Sequence, residues 1–407
     1  MMQSLSTAVS GLSAFSQEIA VISNNVANSE TCSYKSSDTS FSALLSASLT
    51  GTSGTSTGAG VSVSDVNQNW TTGDITSTDS DTDLAINGSG FFMVTDASTD
   101  QTYYTRNGSF SFDDDGNLVI TDTDYTVQGY AIDEDGDLGA LTDITVSHDA
   151  SPANATTEMS TTVNLDADAE VGDTYETSVT VYDSLGNEHL VTTTYTNTAA
   201  NTWTYSISID SSTTAATTGT LAFGTSGALE TATGDPTITF TPTGAAEMTI
   251  TWDIYDETTV GTTTTYATNG SITQYSMDSA LYDSSQDGYT SGSLSSITID
   301  ENGVVTATYS NGTTQDLFQV ALAEFNNYDG LLATSGGLYS TTTDSGDPIV
   351  GIPGTSRFGS LETGSLESSN VDLSSELANL ITAQRAYQAC SKVFTASDEI
   401  LQTLINM

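Results

Sequence analysis

Hydrophobic positions near the N-terminus recur at the spacing of a helical seam. At alternating intervals of three and four residues they are Leu5, Ala8, Leu12, Phe15, Ile19, Ile22 and Val26. This is the a/d pattern of a coiled-coil strand and predicts a helix from about residue 3 to 28. The positions between are mostly Ser, Thr, Gln and Asn, so the flanks lack the ion pairs of a freely exposed dimer. Such a helix needs neighbours on more than one side.

The C-terminal part of the chain carries a second amphipathic pattern. Apolar residues recur every seven positions at Leu366, Leu373, Leu380, Tyr387, Phe394 and Leu401. The stripe is widened by Leu377, Ala383, Cys390, Val393, Ile400 and Leu404. Asp372 or Ser374 would serve as N-cap, and Glu376 suits the positive end of the helix dipole. A second helix is therefore predicted close to the C-terminus.

The charge of the chain is concentrated between these two ends. There are 52 acidic and 5 basic residues, for a net charge of −47. Residues 1–64 hold three acids and one base, and residues 358–407 hold six acids and two bases, which leaves −41 in the middle. Nucleic acid is excluded as a partner, because binding its phosphates requires cations.

Two amphipathic helices at opposite ends can bury their seams against each other or against other copies of the chain. An intramolecular helical hairpin is the simpler alternative, since apolar stripes usually face a core. The near-neutral ends favour the intermolecular alternative, because copies of so acidic a chain can approach closely only where charge is low. In the predicted fold the N- and C-terminal helices pair as a coiled coil.

Between the ends the helical period gives way to patterns typical of β-strands. Residues 51–65 are rich in Gly, Ser and Thr and predict a flexible connection or loop. A compact β domain is expected from about residue 71, with short strands around the turn in Leu84–Asp96 and hairpins at Asn107-Gly108 and Asp115-Gly116.

A Thr-rich alternation then predicts half-buried strands of a sandwich or barrel, inserted into the first β domain. The first domain resumes in Ser296–Phe325. The predicted fold is mainly β with α-helical termini and nested β-rich domains. The predicted segments are 1–30 and 371–407 for the helical core, 31–70 and 359–370 for a connecting region, 71–145 and 285–358 for an inner β domain, and 146–284 for an outer β domain.

The sequence offers no catalytic set. His148 and His189 are predicted surface residues outside any Ser/His/Asp arrangement, and no phosphate-binding loop motif occurs. A calcium loop counted from Asp133 would place Leu138 and Ile144 where Gly and a carboxylate are required, so acidic β-turns are predicted instead. We therefore expect no enzyme, no metal and no cofactor.

The two cysteines are too few for a disulfide scaffold. Cys32 lies past the first helix and Cys390 well inside the second, so a disulfide within the chain is not expected, and Cys390 is interpreted as a small apolar seam residue. No apolar run approaches the roughly 18 residues of a membrane span, and no signal peptide is evident. The sequence thus predicts neither a membrane contact nor a cleaved leader.

Long motifs at both ends resemble the bacterial flagellar axial proteins, the rod and hook family. The N-terminal stretch Ala8–Thr31 matches the family signature and includes Asn24, Asn25 and Asn28. The C-terminal block Gly364–Val393 includes Asn370, Asp372, Gln384 and Arg385. One departure is Ser33, at the glycine position of the family's T-x-G-[FY]-K turn, which leaves a left-handed backbone there in question.

The resemblance implies a structural subunit that self-assembles into a hollow curved tube, the flagellar hook, which transmits torque to the filament as a universal joint. The terminal helices would line its interior, and residues 31–70 and 359–370 would form a connecting spoke. The expected assembly interface comprises Leu5, Leu12, Phe15, Ile19, Ile22, Val26, Leu373, Leu377, Leu380, Tyr387, Phe394 and Leu401.

The family also implies partners and a location. Besides copies of itself, the chain would meet rod proteins, hook-filament junction proteins, the hook cap and the flagellar type III export apparatus, and it would reside outside the cell. The alternatives are the distal rod protein, which generally lacks the inserted domain, and an acidic secreted adhesin or surface-layer protein.

The charge imbalance generates one prediction about stability. Repulsion among the acids should be relieved by salt, because the Debye length falls to about 3 Å at 1 M. The melting temperature of the chain should therefore rise between low and molar NaCl. The acidity therefore favours a saline habitat as a hypothesis, which a melting temperature that stays constant over this range would contradict.

Overall fold

The computed structural model describes residues 2–45, 58–133, 136–147, 150–210, 212–233, 237–260, 263–355 and 357–405. The chain forms two compact units. The first comprises residues 1–147, 297–307 and 315–407, and the second comprises residues 148–296 and 308–314. Strands dominate both units and a long helix lies at each end of the chain, which confirms the predicted fold class.

The helices are α1, Met2–Ala27, and α2, Leu373–Ile405. Asp372 is the N-cap of α2, because its Oδ1 accepts hydrogen bonds from the backbone N–H of Ser374 at 3.0 Å and of Ser375 at 3.4 Å. The seven-residue pattern extends one step too far: Leu366 belongs to a short strand, Ser365–Glu367, and not to the helix.

An antiparallel hairpin follows α1, formed by β1 (Ser37–Leu45) and β2 (Gly58–Gln68). The predicted flexible connection over residues 51–65 is therefore wrong for residues 58–65, which belong to β2. Residues 51–57 lie outside the described part of the chain. Small and β-branched residues of this stretch alternate along β2, and this alternation was hidden by its Gly and Ser content.

The remaining strands follow in three groups. Before the second unit come β3 (Ile75–Ser77), β4 (Leu84–Asn87), β5 (Phe91–Asp96), β6 (Gln101–Thr105), β7 (Phe110–Phe112), β8 (Leu118–Ile120), β9 (Tyr125–Ile132) and β10 (Leu138–Asp143). Next come β11 (Glu158–Asp166), β12 (Thr174–Tyr182), β13 (Glu188–Ala199), β14 (Thr202–Ile209), β15 (Ser212–Phe223), β16 (Leu229–Thr233), β17 (Thr237–Phe240), β18 (Met248–Trp252), β19 (Tyr255–Val260), β20 (Thr263–Thr268), β21 (Ile272–Tyr275) and β22 (Ala280–Gln286). The last are β23 (Leu294–Ile299), β24 (Val304–Tyr309), β25 (Thr314–Val320), β26 (Leu322–Glu324), β27 (Leu332–Ala333), β28 (Leu338–Ser340), β29 (Ile349–Gly351), β30 (Ser360–Thr363) and β31 (Ser365–Glu367), with single 3-10 turns at Tyr328–Gly330 and Ser335–Gly337.

In the first unit β5 lies at the centre of the sheet, paired with β6, β9 and β26. Its residues are buried on both faces, and Phe91 packs edge-on against the rings of Trp70, Phe325 and Tyr339. The hairpin β7–β8 forms as predicted around Asp115-Gly116. The strands on either side of the other two predicted turns do not pair with each other: β4 pairs with β30, and β6 pairs with β5 and β28.

The second unit contains two five-stranded sheets. One has the order β12, β13, β14, β15, β16; the other has the order β17, β18, β11, β21, with β22 also paired to β11. Buried and less buried residues alternate along β14, as predicted for half-buried strands. The core between them contains Trp203, Trp252, Tyr195 and Tyr205, with Tyr205 edge-on against Trp252.

Several acidic turns share one geometry, an Asp followed three positions later by a left-handed Gly. Asp113, Asp183 and Asp300 each accept hydrogen bonds on one carboxylate oxygen from the backbone N–H groups two and four residues ahead. The glycines have φ values of 84°, 81° and 78°, a conformation open to glycine without a Cβ penalty. The pKa of Asp113 is lowered mainly by a hydrogen bond from the Asn117 side chain, and further by these backbone bonds. Part of the acidity of the chain thus has a structural role, because these aspartates hold turns through backbone hydrogen bonds.

His189 differs from the prediction of a surface residue. Its side chain is 13% exposed, and its Nδ1 lies 2.6 Å from Asp210 Oδ2 and its Nε2 lies 3.3 Å from Asp183 Oδ2. The prediction was wrong because the turns that carry the two aspartates approach His189 only in the folded sheet. The second unit has no Lys or Arg. His148 lies outside the described residues.

The cluster around His189 predicts a pH-dependent stability of the second unit. Burial by itself lowers the pKa of His189, but the hydrogen bonds and charges of Asp210 and Asp183 outweigh it and raise the pKa above its usual value. Protonated His189 should therefore stabilise the second unit. This stabilisation should be complete below about pH 6.5 and should be lost as the pH rises through the pKa that His189 has in the folded state. Urea unfolding followed by the fluorescence of the buried Trp203 and Trp252 tests this.

The His189→Asn variant provides the control. It should remove the dependence of the urea midpoint on pH between about 6 and 8.5, because the titrating group is gone. An equal pH slope in both proteins would contradict the assignment of the effect to His189.

Candidate functional site

The two terminal helices pack antiparallel through small residues. A Cβ on Gly11 would lie 2.9 Å from Cys390 Sγ, so the missing side chain lets the helices approach closely. Near the other end of the pair the Asn25 side chain lies close enough to Glu376 to act on the pKa of its carboxylate. Gly11 and Asn25 are as far apart along α1 as Cys390 and Glu376 are along α2, which defines the antiparallel register. The buried small residues of the two helices are Ala8, Gly11, Ala14, Ala383 and Ser397.

The large apolar residues of the predicted interface lie mostly outside this contact. On α1, Ile22 is buried, and the half-buried residues are Leu5, Leu12, Phe15, Ile19 and Val26. On α2, Leu380 and Leu401 are half-buried, whereas the exposed residues are Leu373, Leu377, Tyr387 and Phe394. Three further residues of α2 are about half exposed: Ile381 at 52%, Val393 at 49% and Ile400 at 50%. The single chain thus leaves the large side chains of α2 uncovered.

The β1–β2 hairpin contacts α1. Phe15 and Phe41 have ring centroids 5.9 Å apart, and Ser10 Oγ accepts a hydrogen bond from the Val61 backbone N–H at 3.3 Å. By length and composition alone, Ser4–Ala27 meets the requirement for a membrane-spanning helix, a requirement that core helices of soluble proteins also meet. Ser, Thr and Gln interrupt any continuous apolar run in this helix, and the absence of a membrane contact stays a prediction.

Two asparagines of the family motif hold the segment that follows α1. Asn25 Nδ2 donates to the Ser37 carbonyl at 2.9 Å, and Asn25 Oδ1 accepts from the Ser37 N–H at 3.0 Å. Asn370, from the other end of the chain, accepts from the Ser36 N–H at 2.8 Å and donates to the Asn69 carbonyl at 2.8 Å. Both ends of the chain therefore fix the same backbone segment.

Two other motif residues close the end of α1. Asn28 Nδ2 donates to the Asn24 carbonyl at 2.8 Å, and Asn24 Nδ2 donates to Tyr34 Oη at 3.1 Å. With the N-cap Asp372, the structure brings five of the seven motif residues to one junction. Gln384 and Arg385 lie exposed on α2 and are not part of it.

A buried ion cluster lies at the same junction. Glu367 Oε1 is 2.6 Å from Lys35 Nζ, and Glu367 Oε2 is 3.5 Å from Arg106 Nη1. The side chains of these three residues are 0%, 1% and 5% exposed. Burial lowers the pKa of Lys35 and of Arg106, and Glu367 offsets part of the effect in both.

Further hydrogen bonds complete this ion cluster. Lys35 Nζ donates to the Thr71 carbonyl at 2.8 Å, the Gly73 N–H donates to Glu367 Oε1 at 2.9 Å, and Arg106 Nη2 donates to the Gly88 carbonyl at 2.7 Å. Sequence reasoning missed this cluster. A signal existed, since two of only five cations in a chain of 52 acids lie in it.

Ser33 has a left-handed backbone, with φ of 57°. Ser33 thus adopts the left-handed conformation that is expected of the glycine at this position of the family motif. Its N–H donates to the Glu367 carbonyl at 2.8 Å and its Oγ donates to the Arg106 carbonyl at 2.7 Å. The side chain therefore offsets part of the strain by hydrogen-bonding within the ion cluster.

The two cysteines are free: Cys32 is exposed and Cys390 is half-buried between the helices. Among the described residues no group of His, Cys, Asp or Glu is arranged to hold a metal ion.

Comparison with known proteins places these features in families. Models match for the flagella basal body rod protein at residues 5–35, the flagellar hook protein FlgE/F/G D1 domain at 85–165, the flagellar basal body protein FlaE D2 domain at 152–289 and the flagellar basal body rod FlgEFG protein C-terminal region at 362–407.

Relatives match along almost the whole chain. The flagellar hook protein FlgE of Rhizobium meliloti is 36% identical, covering 98% of both chains, and that of Escherichia coli is 34% identical, covering 99% of both. The crystal structure of Helicobacter pylori flagellar hook protein FlgE2 superposes with a TM-score of 0.54 at 16% identity, over 72% of this chain and 100% of that one. This last likeness concerns the fold alone.

The buried ion cluster predicts a large loss of stability on breaking it. Glu367→Gln leaves two buried cations without their counter-charge, and should lower the free energy of unfolding of the first unit by about 3–5 kcal/mol. Calorimetry of the full chain measures it.

The control is the partly exposed pair Arg357 and Glu324, whose Nε and Oε2 are 3.4 Å apart and whose side chains are 50% and 16% exposed. Arg357→Gln should cost no more than about 1 kcal/mol. Equal costs for the two substitutions would show that the cluster is not held by its charges.

Proposed function

The chain belongs to the flagellar hook protein family, and we propose that it builds the hook by burying the uncovered apolar side chains of α2 against other copies of itself. It is a structural subunit of the flagellum. The division into helical core, connecting spoke, inner β domain and outer β domain remains part of the proposal, as do the assembly roles of the seam residues.

The observation that carries this proposal is the set of large apolar residues exposed on α2. Seven such residues, between 37% and 52% exposed, lie on one helix: Leu373, Leu377, Ile381, Tyr387, Val393, Phe394 and Ile400. Full burial of one such side chain contributes about 1.5–3 kcal/mol, so the remaining exposed area amounts to several kcal/mol in total. This is a strong driving force for association.

The exposed residues lie on more than one side of α2. At 3.6 residues per turn Val393 and Ile400 point away from Leu373 and Leu377. One subunit would therefore contact at least two neighbours through α2. Such contacts between different surfaces generate open helical polymers when the rotation does not close a ring.

The second unit suits the outer part of a flexible tube. It carries 19 acidic residues and no Lys or Arg, so neighbouring copies of it form no Lys or Arg salt bridges with each other. Weak polar contacts would let these units slide while tightly packed inner helices resist twist. The tube would then bend as a universal joint while it transmits torque.

The further partners are part of the same proposal. They are the rod proteins, the hook-filament junction proteins, the hook cap and the type III export apparatus, with the assembled chain outside the cell. Catalysis is not part of the proposed role. The relatives cover almost the whole chain, including the second unit, which favours the hook over a distal rod protein or a surface-layer protein.

Charged substitutions on the helices test the proposal. Leu377→Asp, at an exposed site, and Leu380→Asp or Ile19→Asp, at half-buried sites, should abolish tube formation, because burying an unpaired carboxylate costs several kcal/mol. Electron microscopy shows whether each variant forms tubes, and circular dichroism verifies that the β units remain folded.

Val171→Asp is the matched control, since Val171 is 70% exposed in the second unit. It adds the same charge and should leave assembly intact. Normal tubes from Leu377→Asp and Leu380→Asp would refute the role of the helices.

A further inference from the structure

The junction of the two helices contains an acid whose charge is not neutralised. Glu376, in the first turn of α2, is only 9% exposed, and its Oε2 is buried without a hydrogen-bond partner. Burial raises the pKa of Glu376; the bond with Asn25 offsets part of this, and the charges of Asp38 and Asp372 raise it further. No Lys or Arg in the described part of the chain forms an ion pair with these carboxylates.

The missing counter-charge exists elsewhere on the same helix. Arg385 and Lys392 are the basic residues of α2, and both are exposed. Neither forms an ion pair with any residue that the structure describes. They are seven residues apart, so they lie in one row along the helix.

This row faces away from Glu376. Arg385 lies nine residues beyond Glu376, which is about two and a half turns and about 13 Å along the axis. The two side chains therefore project from opposite sides of α2, and Arg385 cannot reach the carboxylate of its own chain. A second copy of the helix could present its arginine from outside.

We propose that Arg385 of one subunit binds the acidic junction formed by Asp38, Asp372 and Glu376 of a neighbouring subunit. The inference rests on the proposed self-assembly and identifies one polar contact within it. The acidic junction and the arginine are different surfaces of one chain, so the contact is heterologous and can repeat without limit along a polymer.

The arginine gives this contact direction as well as attraction. A guanidinium offers several N–H donors in a fixed plane and can bond more than one carboxylate oxygen at once. The apolar side chains beside it have no such directional preference. The ion contact would therefore set the register between neighbouring helices.

Zero-length cross-linking of assembled tubes tests the contact directly. In the Arg385→Lys variant, a water-soluble carbodiimide converts a carboxylate into an O-acylisourea. The new amine attacks the acyl carbon of this ester, which forms an amide and releases the carbodiimide as its urea. Tubes grown from mixed light and nitrogen-15 labelled chains should yield cross-linked peptides of mixed label, joining position 385 to Asp38, Asp372 or Glu376. The Gln384→Lys variant, whose amine points about 100° away, should not yield them.

Two substitutions separate this role from a structural one. Glu376→Gln should raise the melting temperature of the unassembled chain, because an uncompensated buried charge is removed, yet raise the critical concentration for tube formation. Arg385→Gln should raise that concentration about tenfold or more. Arg385→Lys keeps the positive charge and should bring the critical concentration most of the way back to that of the unaltered chain.

The outcomes distinguish this inference from the function it rests on. Tubes from the unaltered chain, with no mixed-label link to the junction in the Arg385→Lys variant, overturn the contact and leave self-assembly standing. Failure of the unaltered chain to form tubes overturns the proposed function itself. A critical concentration unchanged by Arg385→Gln also refutes the contact.

Discussion

The structure depends on the close antiparallel contact between the first and last helices. Gly11 has no side chain, so Cys390 can approach the backbone of α1, and the alanines around this point keep the helix axes close. A contact made by small residues buries little apolar area. It therefore positions both helices while leaving the large side chains of α2 available.

The ion cluster gives this helix pair a fixed attachment to the β part of the first unit. Lys35 follows α1, Glu367 precedes α2 and Arg106 belongs to the β region, so one buried carboxylate joins three distant parts of the chain. Asn25 and Asn370 fix the neighbouring backbone at Ser36 and Ser37. A polymer whose subunits must transmit force gains from such a joint, because charged hydrogen bonds are directional.

Local patterns predicted the elements better than their contacts. The helices, the alternating strands and the turn at Asp115-Gly116 follow from periodicity and turn chemistry, which act over a few residues. The partner of β4 is β30, far away in sequence, and no local signal identifies it. The same limit explains the missed environment of His189 and the missed cluster around Glu367. The heptad stripe was read correctly as apolar, but periodicity does not show whether small or large residues form the intrachain contact.

The distribution of the five basic residues has a practical consequence. None occurs between Arg106 and Arg357, and Lys35 is 1% exposed. A protease that cleaves after lysine or arginine must leave residues 107–357 in one piece, with the whole second unit inside that fragment. On the folded chain, Lys392 is therefore the only lysine side chain that an amine-directed dye can reach, in addition to the N-terminal amine. The molecule thus carries a single reactive lysine on the helix that we propose to drive its association.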